Sequence, residues 1–310
     1  MRVLIVGAGA IGGYFGGRLL QAGRDVTFLV RPGRAAELAR DGLVIRSPHG
    51  DATIPNPPAV QAAALKPDYD LVVLSCKAFD LDDAITSFRP GVGPRTTILP
   101  LLNGMKHLDV LDAAFGRDRV LGGQCVIAAT LDAKRHVVQL APMSAITFGE
   151  RDGAMSERVT QIAAALGGCD FGVNASPVIV QEMWEKWVFL ATLAGSTSLM
   201  RGAVGDILAA PGGAGFMLGV LDEIAKIAAA AGHPPRQAAV DRTRSMLLAE
   251  GSKLTASMFR DIQAGARIEA DHVVGDLIAR GEAGDVRTPL LRVVYTHLKT
   301  YERQREIVSV

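Results

Sequence analysis

The sequence predicts an α/β protein: an N-terminal doubly wound parallel sheet followed by an all-α second domain. Three observations point to it. Short β-branched or leucine-rich runs at 2–6 (RVLIV), 25–30 (DVTFLV), 70–75 (DLVVLS) and 96–101 (TTILPL) alternate with helix-capable segments, the pattern of buried parallel strands linked by crossover helices. The first run enters GAGAIG, a glycine-rich turn where a strand gives way to a helix. Past Ser176-Pro177 the strand signals stop, and helical periodicity covers about 178–199, 213–231, 235–249, 254–264 and 270–281. With 310 residues the chain has room for two cores, and the boundary is placed between 1–177 and 178–310.

The remaining elements follow in order. From His136 to Phe148 polar and apolar residues alternate in VVQLAPMSAITFG with no helical insert, which reads as antiparallel strands closing the sheet. Pro211-Gly212-Gly213 and Gly232-His233-Pro234-Pro235 read as turns between helices. No internal repeat and no low-complexity linker interrupts the chain.

Composition narrows the function. Lys plus Arg number 33 against 32 for Asp plus Glu, so no net charge favours nucleic acid or an anionic membrane, and a small-molecule partner fits better. No apolar run reaches the ~18 residues of a membrane span. Met1-Arg2 leads directly into VLIVGAGAIGG without the parts of a secretory signal, so a cytoplasmic location is expected. Cys76, Cys125 and Cys169 are widely spaced in apolar surroundings and read as reduced packing residues. The six histidines form no paired ligand spacing, so no metal is expected.

In GAGAIG, Gly7 permits a tight turn, Gly9 lets backbone approach a pyrophosphate and Gly12 lets helix pack on sheet, with the helix N-terminus toward the anion. This is the dinucleotide fingerprint of a Rossmann-type domain, and it makes Gly7, Ala8, Gly9, Ala10, Ile11 and Gly12 the expected cofactor contacts. Gly13, Gly16 and Gly17 continue into the helix at up to about 1 kcal/mol each relative to alanine, so something is expected to pack very close there, with the second domain as one choice. An NAD site places an acid about 20 residues on; this chain has Arg31, then Pro32, Gly33 and Arg34. A guanidinium pairs with a 2′-phosphate where a carboxylate would repel it, so the cofactor is expected to be NADP(H).

The stretch EMWEKWVFLATLAGSTSL raises a separate question. Lys186 stands among Trp184, Trp187, Val188, Phe189 and Leu190 and shares a helical face with Leu190, Leu193 and Ala194. A helix apolar nearly all round should be buried, so an ammonium on it calls for a role. Lys77 after LVVLSC and Asn103 after ILPLL lie at strand ends, where open α/β sheets bind ligands; Asn103 before Gly104 also suits a turn.

GAGAIG, CKA at 76–78, NGM at 103–105, WEK at 184–186, SMFRD at 257–261, Gly265 with IEAD at 268–271, and Thr288-Pro289 occur in the order and spacing of the ketopantoate reductases, which the whole chain resembles. The resemblance implies a Rossmann domain followed by a helical domain similar to the C-terminal domain of 6-phosphogluconate dehydrogenase. It also implies reduction of 2-dehydropantoate to (R)-pantoate with NADPH, a step toward pantothenate and coenzyme A. The family's catalytic lysine falls on Lys186, which would protonate the alkoxide formed by hydride transfer, its pKa lowered by partial desolvation. The same matching puts Asn103 at cofactor and substrate, Ser257 at substrate, Glu269 near the cofactor and catalytic centre, and Ala128 and Lys77 at cofactor positions. A homodimer is compatible with the resemblance.

The departures concern the substrate. The family usually has asparagines four and eight residues after the lysine and a third farther on, where this chain has Leu190, Ala194 and Val204. Ser196, Thr197 or Arg201 are the candidates to take over those contacts. Three readings therefore stand: a ketopantoate reductase, a related reductase of another 2-oxo acid or an imine, and a non-catalytic NADP(H)-sensing module.

Overall fold

The computed structural model describes residues 1–308 and falls into two compact units. The first comprises Met1–Leu102 and His107–Val180, and the second Asn103–Lys106 and Gln181–Val310. Along the chain the first set of elements is β1 (Val3–Val6), α1 (Ala10–Gln21), β2 (Val26–Leu29), α2 (Pro32–Asp41), β3 (Leu43–Arg46), β4 (Ala52–Ile54) and β5 (Ala59–Val60). There follow β6 (Leu71–Leu74), α3 (Leu81–Phe88), β7 (Thr97–Pro100), α4 (Lys106–Phe115), β8 (Gly122–Leu131), β9 (Val137–Gly149), α5 (Glu157–Leu166) and β10 (Gly172–Ala175).

The first sheet is parallel in the order β5-β2-β1-β6-β7, with Val3 opposite Val26 on one side and Leu71 on the other. Each of β1, β6 and β7 is buried along its whole length, as expected of strands covered on both faces. A second sheet departs from the sequence reading of 136–148. That segment is one 13-residue strand, β9, and it closes nothing: it pairs antiparallel with β8 and parallel with β3 and β10. The alternation does mark extended chain, but as one strand in place of several, and its partners are the strands at 43–46, 122–131 and 172–175.

Helix α1 lies between the two sheets, and its glycines show it. A Cβ at Gly16 would stand 2.6 Å from the Phe28 ring of β2, while one at Gly17 would stand 2.6 Å from Ile45 Cδ1 of β3 and one at Gly13 2.9 Å from Val137 Cγ2 of β9. The close neighbour of these glycines is thus this unit's own pair of sheets, which replaces the expectation of the second domain. Gly12 and Gly16 face one sheet and Gly13 and Gly17 the other, as the i, i+4 spacing of a helix dictates.

The second unit is helical: α6 (Ile179–Met200), α7 (Val204–Ala209), α8 (Gly213–Ala230), α9 (Gln237–Leu247), α10 (Ser257–Gln263), a π turn Asp271–Gly275 continuing into α11 (Asp276–Ala283), and α12 (Pro289–Val308). Helices α7 and α12 were not anticipated. Pro289 opens α12, and the buried Glu223 carboxylate of α8 accepts from the Leu290 and Leu291 N–H groups at 2.9 Å each, capping the helix start.

Central to this unit is α6, whose Trp187, Ala191, Thr192 and Ser196 to Ser198 are almost wholly buried. Its Glu185 carboxylate receives the Arg236 Nε at 2.7 Å, the Arg236 Nη2 at 2.6 Å and the Arg236 backbone N–H at 3.0 Å, tying α6 to the residue that begins α9. Burial pushes the Glu185 carboxyl up, yet the hydrogen bonds from Arg236 and Gln181 together hold it below its ordinary value of 4.5. Such a group adds stability above its unfolded-state pKa, and that stability is lost as pH falls through the folded value. Glu185→Gln is therefore expected to lower the unfolding free energy by about 1–3 kcal/mol at pH 7, the loss of charged hydrogen bonds. The difference should vanish in acid below the folded pKa. Urea unfolding at both pH values checks this, read by tryptophan fluorescence, since the two tryptophans of the chain, Trp184 and Trp187, flank Glu185.

Candidate active site

The GAGAIG turn of the first unit has the form a pyrophosphate requires. Gly7 takes φ +92° between β1 and α1, which only glycine adopts without strain. Gly9 is the N-cap of α1, with no side-chain cap and no acidic residue in the first turn, so the leading N–H groups of the helix are not consumed by the helix itself. A Cβ at Gly9 would meet nothing within 4 Å, whereas at Gly12 it would lie 2.2 Å from Gly7 O and 2.5 Å from Ser75 Oγ. Space is thus kept at Gly9 for an approaching anion, and closeness of helix to strand is enforced at Gly12. Ala8, Ala10 and Ile11 lie within the same turn and first helical residues. These residues fit a dinucleotide.

The two arginines after β2 have different positions. Arg34 is largely buried and donates from Nε to the Ala8 carbonyl at 3.1 Å, from Nη1 to Glu37 Oε2 at 2.9 Å and from Nη2 to the Arg135 carbonyl at 3.3 Å. Arg135 Nε reaches the same Glu37 oxygen at 2.7 Å. Hydrogen bonding from Arg34 is the main reason that the Glu37 carboxyl sits below its usual range. Arg34 therefore braces the glycine turn from behind. Arg31 is the N-cap of α2 and is 74% exposed, with Nη2 at 3.6 Å from Asp80 and 3.7 Å from Asp83. Exposed pairs of that length contribute at most about 1 kcal/mol, so the guanidinium can be redirected to a stronger anion. Lys77 caps the short 3-10 turn Ala78–Asp80 after β6. Ala128 occupies the register shift between Ile127, paired with Ser144, and Ala129, paired with Gln139, where the extra residues of β9 interrupt the ladder.

In the second unit Lys186 is half-buried, and its Nζ donates to Asn103 Oδ1 at 3.2 Å. Asn103 precedes Gly104, whose φ is +80° and whose Cβ, if it had one, would stand 2.8 Å from the His272 carbonyl. Asn103 and Gly104 thus lie in a bend, and the Asn103 amide oxygen meets the Lys186 ammonium. Trp187 Nε1 donates to the Val273 carbonyl at 3.0 Å, which fixes the rotation of α6 one residue beyond Lys186. Ser257 is the first residue of α10 and half-buried, and Glu269 is 8% exposed just before the π turn.

The residues suggested as substitutes for the missing amides differ in burial and in hydrogen bonding. Thr197 is fully buried and its hydroxyl is committed, donating to Leu193 O at 2.7 Å and accepting from the Ala256 N–H at 3.4 Å. It lies eleven residues after Lys186, on the same helical face, and holds the start of α10 beside Ser257. Ser196 is fully buried and its Oγ has no hydrogen-bond partner among the described residues. Arg201 stands past the end of α6 at φ +57°, with its guanidinium 5.9 Å from the centroid of the Phe259 ring. Of the three departures from the family pattern, Ala194 and Val204 are buried at 2% and 0%, and only Leu190 is half-buried.

Trp187, Thr197, Glu37, Asp80 and Asp83 escaped the sequence reading as supports of the site. Only Asp80 and Asp83 left a signal, an acidic run AFDLDD directly after CKA. Among the described residues no group of three or more His, Cys, Asp or Glu could hold a metal ion, and no helix is long and apolar enough to cross a membrane.

Comparison with known proteins places these features. The family model "Ketopantoate reductase PanE/ApbA" matches residues 3–153, and "Ketopantoate reductase PanE/ApbA C terminal" matches residues 178–302. An uncharacterized oxidoreductase of Bacillus subtilis, YkpB, is 34% identical over 305 residues, covering 98% of this chain and 100% of that protein. The 2-dehydropantoate 2-reductase of Halobacterium salinarum is 28% identical over 307 residues, 98% of this chain and 99% of its own. The crystal structure of 2-dehydropantoate 2-reductase from Geobacter metallireducens superposes with a TM-score of 0.88 at 27% identity, covering 97% of this chain and 99% of that one. With both domain models matched in order and relatives aligned from end to end, the chain belongs to the ketopantoate reductase family of oxidoreductases.

Proposed function

We propose that this protein is an NADPH-dependent reductase of a 2-oxo acid, with 2-dehydropantoate as the substrate to be tested first. The observation that carries the reading is the Lys186–Asn103 pair, an ammonium held by an amide on a largely apolar stretch of helix. Bound at the GAGAIG turn, the nicotinamide cofactor would supply a hydride to the ketone carbon. The chain's own groups do the rest. The Lys186 ammonium donates a proton to the oxygen of the reduced carbonyl and offsets the negative charge that develops there. Asn103 orients that ammonium, and Ser257 contributes a hydroxyl to the substrate. Glu269 is assigned to the catalytic centre and to the cofactor. Arg31 leaves Asp80 and Asp83 for the 2′-phosphate, while Lys77 and Ala128 complete the cofactor contacts.

A second reading is favoured by Leu190. Where the family places an amide on the lysine's helical face, this chain offers hydrocarbon, and Thr197, the nearest hydroxyl on that face, is committed to the backbone. A site that lacks the partner of a substrate hydroxyl loses discrimination for it. The preferred substrate is then a 2-oxo acid more apolar than ketopantoate.

An NADPH-oxidation assay over a panel of 2-oxo acids that includes ketopantoate tests both readings, and turnover of none would overturn them. Lys186→Ala is expected to lower kcat by about two to four orders of magnitude with NADPH affinity nearly unchanged. Near-normal turnover in that variant would remove the proton-donor role. Arg31→Ala is expected to raise the KM for NADPH about tenfold or more, the worth of a charged hydrogen bond, and to leave NADH unaffected. A wild-type preference for NADH would contradict the assignment. Leu190→Asn should improve binding of ketopantoate by up to about tenfold, as one amide hydrogen bond allows. Weaker binding in that variant would show that the site already satisfies the substrate's hydroxyl by other means.

A further inference from the structure

The π turn Asp271–Gly275 lies two residues beyond Glu269, and three consecutive residues of it hold three different parts of the second unit. Asp271 faces α12: its Oδ1 accepts from the Tyr295 hydroxyl at 2.7 Å, and Lys299 Nζ lies at 3.0 and 3.2 Å from its two oxygens. The His272 carbonyl abuts Gly104, close enough that any side chain there would collide. The Val273 carbonyl accepts from Trp187 Nε1 at 3.0 Å. Gly104 follows Asn103, and Trp187 follows Lys186. Both members of the Lys186–Asn103 pair are therefore seated, one residue away, on the same irregular turn.

A π turn is the rarest helical form and persists where its surroundings hold it. Here the hold comes from α12. Beyond Asp271, the Tyr295 ring packs on Gly275, where a Cβ would lie 3.1 Å from it, and Lys299 is itself paired with Glu302. We propose that Asp271, Tyr295 and Lys299 form a strut that positions the Lys186–Asn103 pair by fixing the two carbonyls of the turn. Asp271 is a positioning residue, and the inference rests on Lys186 being the proton donor proposed above. Burial and the bond to Asp271 push the Tyr295 phenol up to about 12, and Glu302 and Asp271 raise the Lys299 ammonium against the opposing effect of burial. The strut thus keeps one protonation state through the neutral range. Displacement of a reacting group by an ångström costs up to about a hundredfold in rate, so a strut of this kind acts on kcat.

The test compares Tyr295→Phe, Lys299→Met and their combination with Lys186→Ala, each alone and in the Lys186→Ala background, with the 2-oxo acid that the wild type turns over best. The combined strut variant is expected to lower kcat about tenfold or more, to leave the KM for NADPH within about twofold, and to add no further loss once Lys186 is absent. Lys299→Arg, which keeps the cation, should retain most of the wild-type kcat. A combined variant with kcat within about twofold of wild type, while Lys186→Ala shows its expected loss, overturns the strut and leaves the donor role standing. So does a loss of equal size in the presence and absence of Lys186, which marks a general structural effect. If Lys186→Ala alone keeps wild-type turnover, the donor role fails and the strut fails with it. Should the combined variant not fold, the same cycle with Tyr295→Phe alone decides.

Discussion

A charged nitrogen half-buried on a helix packed mostly against hydrocarbon is held best with an acceptor close by, because desolvating an ammonium without one is costly. In this chain an acceptor is Asn103, brought to Lys186 from 83 residues earlier at 3.2 Å. Much of the second unit can be understood from that demand. The Asn103–Gly104 turn groups with the helical unit although it follows directly on a strand of the parallel sheet. Trp187 fixes the rotation of α6, Glu185 ties that helix to α9, and Thr197 ties it to the start of α10. These contacts hold α6, the helix that carries Lys186, in the unit.

The first unit obeys a different constraint, the closeness of one helix to two sheets. Four glycines in two i, i+4 pairs remove side chains from both faces of α1, and Gly12 belongs to the packing and to the fingerprint at once. The same turn is then braced by Arg34 through the Ala8 carbonyl, so the loop that would meet a pyrophosphate is held by the body of the unit. Arg31, by contrast, is left exposed with two loosely placed carboxylates. Of the two arginines, only Arg31 has a guanidinium not already committed to backbone.

Strands β1, β2, β6 and β7 were legible because each is a mostly buried run of four residues with no competing pattern, whereas the two-residue edge strand β5 was not; the glycine fingerprint was legible because its geometry demands those residue types. Helix α6 was legible by length and apolarity. Of the second sheet only β9 was legible, since β3, β4 and β10 are strands of three or four residues, and β4 and β10 have one buried position between them. The glycines of α1 announced close packing without naming the neighbour, which is a tertiary fact. At the candidate site, residue types such as Lys186 and Asn103 could be singled out, but not their contact. Nor could the roles of Thr197 and Trp187: a threonine or tryptophan in an apolar helix looks like packing until its hydrogen bond is seen. The irregular turn at Asp271 has no periodicity from which to read it.

The central claim is that the Lys186 ammonium delivers the proton as the oxo group is reduced. It is tested most directly by the pH dependence of the single-turnover rate of NADPH oxidation, measured with the best 2-oxo acid so that product release does not intervene. A proton donor is active only while it carries its proton, so the rate should be level at low pH and fall by about tenfold per pH unit on the alkaline side. A rate that is flat from pH 6 to about pH 11, or that rises with pH, would contradict the account.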